Sequence, residues 1–560
     1  MGQIAVVATP EEVWVRLRRD WLVVCGVDDD GERGKTHFAA EGKWRADSEK
    51  LRFTVVGREW FALVAQRREQ LTRYASEHAL EVSSAPMVMI ADSDPADFLA
   101  GFWAALLSGW NITLANAQWG HQEWQSASSL IQPQIVWHNF PNSPSPLFSA
   151  SPDSPTAKRT VPAILIPTGG SSGQLKFAHH TWQTLTTSVT GFHQHFFPTS
   201  PSLSDPSSIP VNAYCTLPLY HVSGLLQALR TALSNGQLFL LPFKALLLPS
   251  FPLPPVTKRC QSHSVAAGVS FISLVPTQLS RLLNANKASC LSRFHAVLLG
   301  GAPPWPSLLE CVIAHKIPLC LSYGMTETAA MVSATDPQTI LQGKPLLGSG
   351  RAMPHAKIKI ERAGQSLPGQ SLPGQSLPVG EVGQVVVYSD AIAICYHNAP
   401  SLDFAQDAFY TDDLGYLDAD ANLHITGRAS GKIISGGENI FPTEVEAALR
   451  NTGQVRDVCV IGLPHSTWGE AVSAAYVPVD ETVSPESLKA ALVEADGEAL
   501  GPVLSRYKIP KHWCSLPHLP RNEQGKINRS RLITTLLAQQ KTLSSPSVQQ
   551  LAADDGESAD

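Results

Sequence analysis

Five small residues, Gly169 to Gly173, stand in a row in ILIPTGGSSGQLKF, between a short apolar run and the single cation Lys176. Such a run cannot pack a core, so its use rests on backbone and hydroxyl groups. Ahead of it, Ala163–Pro167 reads as a strand. Behind it, Trp182, Leu185, Val189, Phe192 and Phe196 recur at helical spacing. The order is strand, loop and helix. The N–H groups of Gly169, Gly170 and Gly173 can converge on an anion, Ser171 and Ser172 add hydroxyl donors, and Lys176 offers a cation for a polyphosphate. The spacing is not that of a Walker A loop, because Gln174 and Leu175 separate the last glycine from the lysine. Taken alone, a Gly/Ser cluster is more often a flexible turn, and only its company can decide.

A chain of 560 residues exceeds what one core organises, so two or more domains are expected. The net charge is -6 and no Lys/Arg block is long enough to follow a phosphodiester backbone, which argues against nucleic acid as a partner. No apolar run reaches the roughly 18 to 20 residues of a membrane span, and the first residues lack the pattern of a signal peptide, so a cytoplasmic protein is expected. Nine cysteines without a CxxC pair read as reduced and packed.

Along the chain, DFLAGFWAALLSGW reads as a helix, with Phe98, Trp103, Leu106 and Leu107 near helical spacing. Residues 142–155 and 198–210 are Pro/Ser-rich loops. Residues 364–378 repeat GQSLP three times, too polar for a strand. They lie between the strand-like AKIKIE and GQVVVYS, as an expanded hairpin connection would. The texture changes near Gly427. Beyond it, IISGGENIFPTEVEAALR reads as strand, glycine loop and helix, with Thr443 and Glu446 spaced as a capping box. The last twenty residues look disordered.

One cation interrupts an otherwise apolar helix-like segment. Arg230 lies in LLQALRTAL, nine residues after His221, where an arginine is costly unless paired or snorkelling outward.

Seven motifs follow one another: TGGSSGQLK, LPLYHVSG, LGGAP, YGMTET, YTDDLGYL, GR with SGGENIFPTEVE, and PRNEQGKINR. In this order they resemble the acyl-adenylate-forming superfamily of acyl-CoA synthetases, luciferases and adenylation domains. The resemblance implies a large N-terminal α/β domain over residues 1–427, with 142–155 and 364–378 as loop-like insertions. A smaller, mobile α+β C-terminal domain over 428–540 and a tail over 541–560 complete the expected organisation. It further implies ATP, Mg2+ and coenzyme A as cofactor and co-substrates, and a two-step reaction through an acyl-AMP.

Residue by residue, the resemblance places Thr168 to Gly173 (Thr168, Gly169, Gly170, Ser171, Ser172, Gly173) and Lys176 on the phosphates. Gly300, Gly301 and Ala302 would border the adenine and acyl pockets, and Tyr323, Gly324, Met325 and Thr326 would wall the ATP site. Glu327 would hold Mg2+, and Asp413 with Arg428 would meet the sugar, Asp412 standing where relatives carry glycine. Ser430 would be the hinge, Ser435, Gly436 and Gly437 the coenzyme A channel, and Lys526 the cation of the adenylation step. Without the family, each of these has an ordinary reading as a turn, a solvated charge or a surface ion pair.

Within the superfamily the sequence is similar to o-succinylbenzoate-CoA ligases of quinone biosynthesis. There an arginine at this distance from the histidine recognises a substrate carboxylate. That resemblance implies a substrate site of His221, Ser223 and Arg230, in which His221 is also catalytic, gating the acyl and thiol channels, and a guanidinium binds the second carboxylate of the acid bidentately. Two alternatives stay open: a CoA ligase or adenylating enzyme for another aryl or medium-chain acid, and a nucleotide-binding regulator without turnover.

Overall fold

A short apolar run such as Ala296–Leu299, buried along its whole length, calls for a sheet covered on each side, and six strands lie parallel in the sheet that holds it. In sheet order these are Leu319–Met325, Ala296–Leu299, Val269–Leu274, Val211–Cys215, Gln237–Leu240 and Leu22–Val27. Antiparallel strands flank them: Ala330–Ala334 and then Arg351–Ala352 on one side, Arg52–Val56 on the other. A second sheet has the order Cys395–Tyr396, Leu175–His180, Ile164–Gly169, Asn111–Leu114, Met87–Ile90, Ile135–Trp137. The protein is a mixed α/β fold in this computed structural model, which describes residues 8–543 except 21, 28–51, 57, 79–85, 120, 139–160, 170–174, 204, 206, 249–267, 345–347, 363–374, 398–403, 406, 430, 432, 436–437, 441, 466–468, 494–503, 505–507 and 522–525.

Two compact units form. One comprises Met1–Pro304, Leu308–Thr411 and Gly415–Ile425, the other Trp305–Ser307, Asp412–Leu414 and Thr426–Asp560. In the larger, a continuous core runs from Trp60, Phe98 and Trp103 to Trp182, Leu185, Leu225 and Leu229. Helix Pro95–Leu107 takes the place expected for DFLAGFWAALLSGW. Asp94 caps it by accepting from the backbone N–H groups of Ala96 and Asp97. In the smaller unit, residues of the strand Val455–His465 alternate: Val458 and Val460 face the core with Val445, Leu449 and Leu488, while Cys459, Ile461 and Leu463 face Leu532 and Leu536.

Four expectations are corrected. The glycine run does not lead directly into a helix. Thr168 and Gly169 still belong to a strand, and Leu175–His180 forms a second strand antiparallel to it, with Thr168 opposite Lys176 and Gly169 opposite Leu175. LKFAHH carries little strand propensity, yet Phe177, Ala178, His179 and His180 are all buried by tertiary packing. The helix follows at Trp182–Phe196, with Thr181 and Thr184 as a capping box.

Thr443 and Glu446 form no such box. The helix begins at Pro442, its ring suiting the first helical position, so Thr443 lies inside the first turn and donates to the Thr426 carbonyl at 2.9 Å. Buried Glu446 instead accepts from the Val460 N–H at 2.9 Å. The GQSLP segment does connect an antiparallel pair, Lys357–Glu361 and Gly383–Tyr388, but its last copy is not all loop: Gln375 and Leu377 exchange backbone hydrogen bonds with Arg362 and Ile360. Finally, the terminal helix Arg529–Leu543 runs three residues into the expected tail.

Residues 142–155, most of the repeat, and residues from 544 onward lie outside the described residues, so those expectations are not addressed. Among the described residues no helix is long and apolar enough to cross a membrane.

Candidate active site

Glu327 sits on a tight turn, Thr326–Thr328, between two strands of the large sheet, and only 6% of its surface is exposed. A buried carboxylate must be hydrogen-bonded or paired. Here Oε1 accepts from the Tyr396 hydroxyl at 2.8 Å and the Thr168 hydroxyl at 3.3 Å. The turn is tied from several directions. His180 Nε2 donates to the Thr326 carbonyl at 2.7 Å, Ser188 donates to the Ala329 carbonyl at 2.6 Å, and the Glu327 carbonyl accepts from the Ala393 N–H at 2.8 Å.

These ties hold an unfavourable backbone. Ala329 and Ala330 both have positive φ, 50° and 74°, a conformation that costs non-glycine residues about 1–2 kcal/mol each. The bond to a carbonyl fixes the His180 proton on Nε2, leaving Nδ1 to face the Thr184 hydroxyl at 3.0 Å. Burial pushes this imidazole down to about 4, so it is neutral at pH 7.

Lys176 lies across the hairpin from Thr168, and its ammonium stands 4.7 Å from the centre of the Tyr396 ring. The expected phosphate lysine and metal carboxylate are thus brought to one place, whereas Gly170, Ser171, Ser172 and Gly173 lie outside the described residues. No cluster of three or more His, Cys, Asp or Glu able to hold a metal occurs among the described residues. A single carboxylate oxygen still fits Mg2+, which takes most of its ligands from phosphate and water.

Two further expected segments meet at the carboxyl ends of neighbouring parallel strands, where open α/β sheets place ligands. Gly300 follows Ala296–Leu299, and Tyr323 to Thr326 end and follow Leu319–Met325. Ser322 donates to the Leu299 carbonyl at 3.1 Å, and a Cβ at Gly300 would come within 2.9 Å of that hydroxyl. Gly301 has a φ of +81°, so its glycine is a backbone requirement, and Ala302 is exposed. Gly324 is needed for another reason: a Cβ there would lie 1.7 Å from the Ala330 carbonyl, where the strand pairing shifts register.

Helix Val222–Leu233 carries the expected acyl-end residues. His221 precedes its first turn with its ring tilted against Tyr220, and Ser223 is exposed, its carbonyl accepting from Gln227. Arg230 points into protein, 5% exposed, with its guanidinium carbon 4.0 Å from the centre of the Phe192 ring. Among the described residues its Nε has no hydrogen-bond partner. Burial lowers its pKa to about 9, and it stays charged at neutral pH.

His355 stands near it, a residue that no motif marked. Among the described residues neither ring nitrogen makes a hydrogen bond of normal geometry, and the Met331 backbone beside the ring favours its charged form only weakly. Burial first and the charge of Arg230 next hold the imidazole at about 4. The ring occupies space left by Gly191, where a Cβ would lie 1.9 Å from Nδ1.

In the smaller unit, Asp413 is buried and its carboxylate accepts from Arg428 Nε at 2.9 Å, while the Arg428 side chain is otherwise exposed. Asp412 is half-buried and its carbonyl accepts from the Ala429 N–H. Ser435 is buried at the end of a short strand, and Lys526 is exposed just before the terminal helix. Ser430, Gly436 and Gly437 lie outside the described residues. The residues that sequence reasoning missed, His180, Ser188, His355 and Tyr396, share one cause: each acts across strands or helices distant in sequence, and no local pattern marks them.

Comparison with known proteins follows the same division. Residues 62–397 match the family described as AMP-binding enzyme, and residues 444–526 match the AMP-binding enzyme C-terminal domain. A 2-succinylbenzoate--CoA ligase of Listeria monocytogenes serotype 4b is 33% identical over 321 residues, 57% of this chain and 60% of that one. The enzyme of the same name from Bacillus subtilis is 31% identical over 375 residues, 66% and 68% of the two chains. The chain thus matches about 60% of the length of the first of these curated relatives. In three dimensions it is similar to the o-succinylbenzoate CoA synthetase of Bacillus subtilis in complex with the acyl-adenylate intermediate, with a TM-score of 0.68, 24% identity, and 86% and 93% of the chains covered. The ATP-bound MatB of Rhodopseudomonas palustris gives a TM-score of 0.66 at 22% identity, covering 84% and 92%.

Proposed function

We propose that this chain, which belongs to the AMP-binding enzyme family, joins a carboxylic acid to coenzyme A, and that the acid is o-succinylbenzoate. In the first half-reaction a carboxylate oxygen bonds to the α-phosphorus of ATP and pyrophosphate leaves with the electrons of the broken P–O bond. In the second, the coenzyme A sulfur bonds to the acyl carbon, its proton passes to solvent, and AMP leaves. The chain's residues supply position and charge. Lys176, Thr168 and the strand-end segments Gly300–Ala302 and Tyr323–Thr326 hold the nucleotide. Asp413 accepts from the ribose hydroxyls, with Arg428 beside it, and Lys526 offsets the charge gathering between carboxylate and α-phosphate. Glu327 would hold Mg2+, which when bound neutralises phosphate charge.

The observation that carries the choice of acid is Arg230: a buried guanidinium over an aromatic face, with an Nε that has no partner among the described residues and a neutral imidazole nearby. A buried cation without a carboxylate partner is expensive, and the second carboxylate of o-succinylbenzoate would complete it. The relatives' names point to the same acid. The reading places the reaction in the cytoplasm, with small molecules as the only partners it requires.

The test separates the half-reactions. Lys526→Ala should abolish most acid-dependent pyrophosphate exchange and leave thioester formation from supplied acyl-AMP nearly intact, since a contact made in one transition state affects that step alone. Equal loss of both steps contradicts the assignment of Lys526, and no exchange by the parent chain with any acid contradicts the enzyme.

A further inference from the structure

We propose that Tyr396 is a positioning residue that couples the phosphate lysine to the metal carboxylate, a role that rests on the reading above. The register of three strands puts the participants on one face. Thr168 lies opposite Lys176, and Tyr396 lies opposite Ala178, two residues further along the same strand. Side chains two apart in a strand share a face, so Thr168, Lys176 and Tyr396 project together.

From there the two ends of one tyrosine do different things. Its hydroxyl donates to Glu327 Oε1 at 2.8 Å, which orients the carboxylate and leaves Oε2 clear of that bond. The face of its ring meets the Lys176 ammonium at 4.7 Å. Tyr396 is itself 8% exposed and packs its edge against Phe404, with ring centres 5.1 Å apart, so it is held from behind.

Its strand is tied at both sides. The Ile394 N–H donates to the His179 carbonyl and the His397 N–H to the Phe177 carbonyl, while Ala393 donates to the Glu327 carbonyl. A short edge strand thereby fixes the spacing between a cation on the glycine hairpin and an acid on the large sheet. Groups that orient a metal-binding carboxylate in this way commonly contribute ten- to a hundredfold in affinity or rate.

Two substitutions in the full chain separate the ends of the side chain. Tyr396→Phe keeps the ring and loses the hydroxyl, and Tyr396→Leu loses both. Four quantities are read: binding of Mn2+ in the presence of α,β-methylene-ATP by electron paramagnetic resonance, binding of that nucleotide in EDTA by calorimetry, the rate of pyrophosphate exchange and the rate of acyl-AMP thiolysis. Tyr396→Phe should weaken Mn2+ binding roughly tenfold and slow exchange by a similar factor, with metal-free nucleotide binding and thiolysis unchanged. Tyr396→Leu should in addition weaken metal-free nucleotide binding several-fold, since Lys176 loses its aromatic face.

Parent-like Mn2+ binding by Tyr396→Phe overturns the proposal. So does loss of both half-reactions by one factor, which would mark Tyr396 as part of the fold. If the parent chain shows no exchange with any acid, the ligase reading fails, and the Mn2+ measurement still judges Tyr396 by itself.

Discussion

Two polar clusters in the larger unit are built on opposite terms. Around Glu327 the buried groups answer one another: Tyr396 and Thr168 serve the carboxylate, His180 serves the Thr326 carbonyl, and Ser188 serves Ala329. Around Arg230 they do not. Among the described residues the guanidinium has an aromatic face but an unpartnered Nε, and His355 has two buried nitrogens without normal hydrogen bonds. A satisfied cluster specifies geometry before any ligand arrives. An unsatisfied one stores a cost of order a few kcal/mol that a complementary ligand can relieve. The first is what a general phosphate and metal site requires, because every substrate of such an enzyme brings the same nucleotide. The second is what selectivity requires, because an acid without the matching charge leaves the cost in place.

The largest expected effect lies in the satisfied cluster. Glu327→Gln keeps an acceptor for Tyr396 and Thr168 while removing the charge, so the fold should persist. Pyrophosphate exchange should fall roughly a hundredfold or more, with thiolysis of supplied acyl-AMP spared. Equal activity in the variant would show that the cluster is structural.

Next in size is a divergence in stability and turnover at Arg230. Arg230→Met removes a buried unpaired charge and should raise stability by about 1–3 kcal/mol in urea titration, while kcat/KM for o-succinylbenzoate drops roughly two decades. Tyr396→Phe, in the other cluster, should lower stability by about 1 kcal/mol through one lost hydrogen bond. A loss of stability in Arg230→Met would mean that the arginine holds the fold.

The smallest effect is in pH. His355 and His180 are both held near 4, against an ordinary 6.5, chiefly by burial. Their folded pKa values are depressed, so between pH 6.5 and about 4 the unfolded chain binds protons that the fold does not. Stability should therefore be full above pH 6.5 and decline toward pH 4, with His355→Phe flattening that decline. Saturating o-succinylbenzoate should raise the pKa of His355 by about a unit, because a carboxylate nearby favours the imidazolium, and leave His180 unmoved. Ring-proton NMR would show whether the two histidines part company on ligand binding.

What could be read from the chain follows the same contrast. Arg230 was visible because it breaks a helical apolar pattern, and Glu327, Asp413 and Lys526 were visible because they sit in short ordered motifs. Tyr396 and His355 were not, since their partners come from strand registers and helix faces far away in sequence: Glu327 is 69 residues from Tyr396. The second strand of the glycine hairpin was missed because its burial comes from packing, with two histidines in a row giving no strand signal. Thr443 misled in the other direction, since a capping-box spacing would start the helix at Glu444 and cannot show that it begins two residues earlier at Pro442.

The claim that an unsatisfied cation selects the acid has one direct measurement. Parent and Arg230→Ala chains are each given ATP, coenzyme A and an equimolar mixture of o-succinylbenzoate and a benzoate analogue bearing an uncharged butanoyl arm, and the two thioesters are counted by mass. The parent should make the o-succinylbenzoate thioester in large excess, and the variant should lose that preference by roughly two decades while making the analogue's thioester at nearly the parent rate. If both products fall together, or if the parent shows no preference, Arg230 does not read the second carboxylate and the choice of acid is wrong.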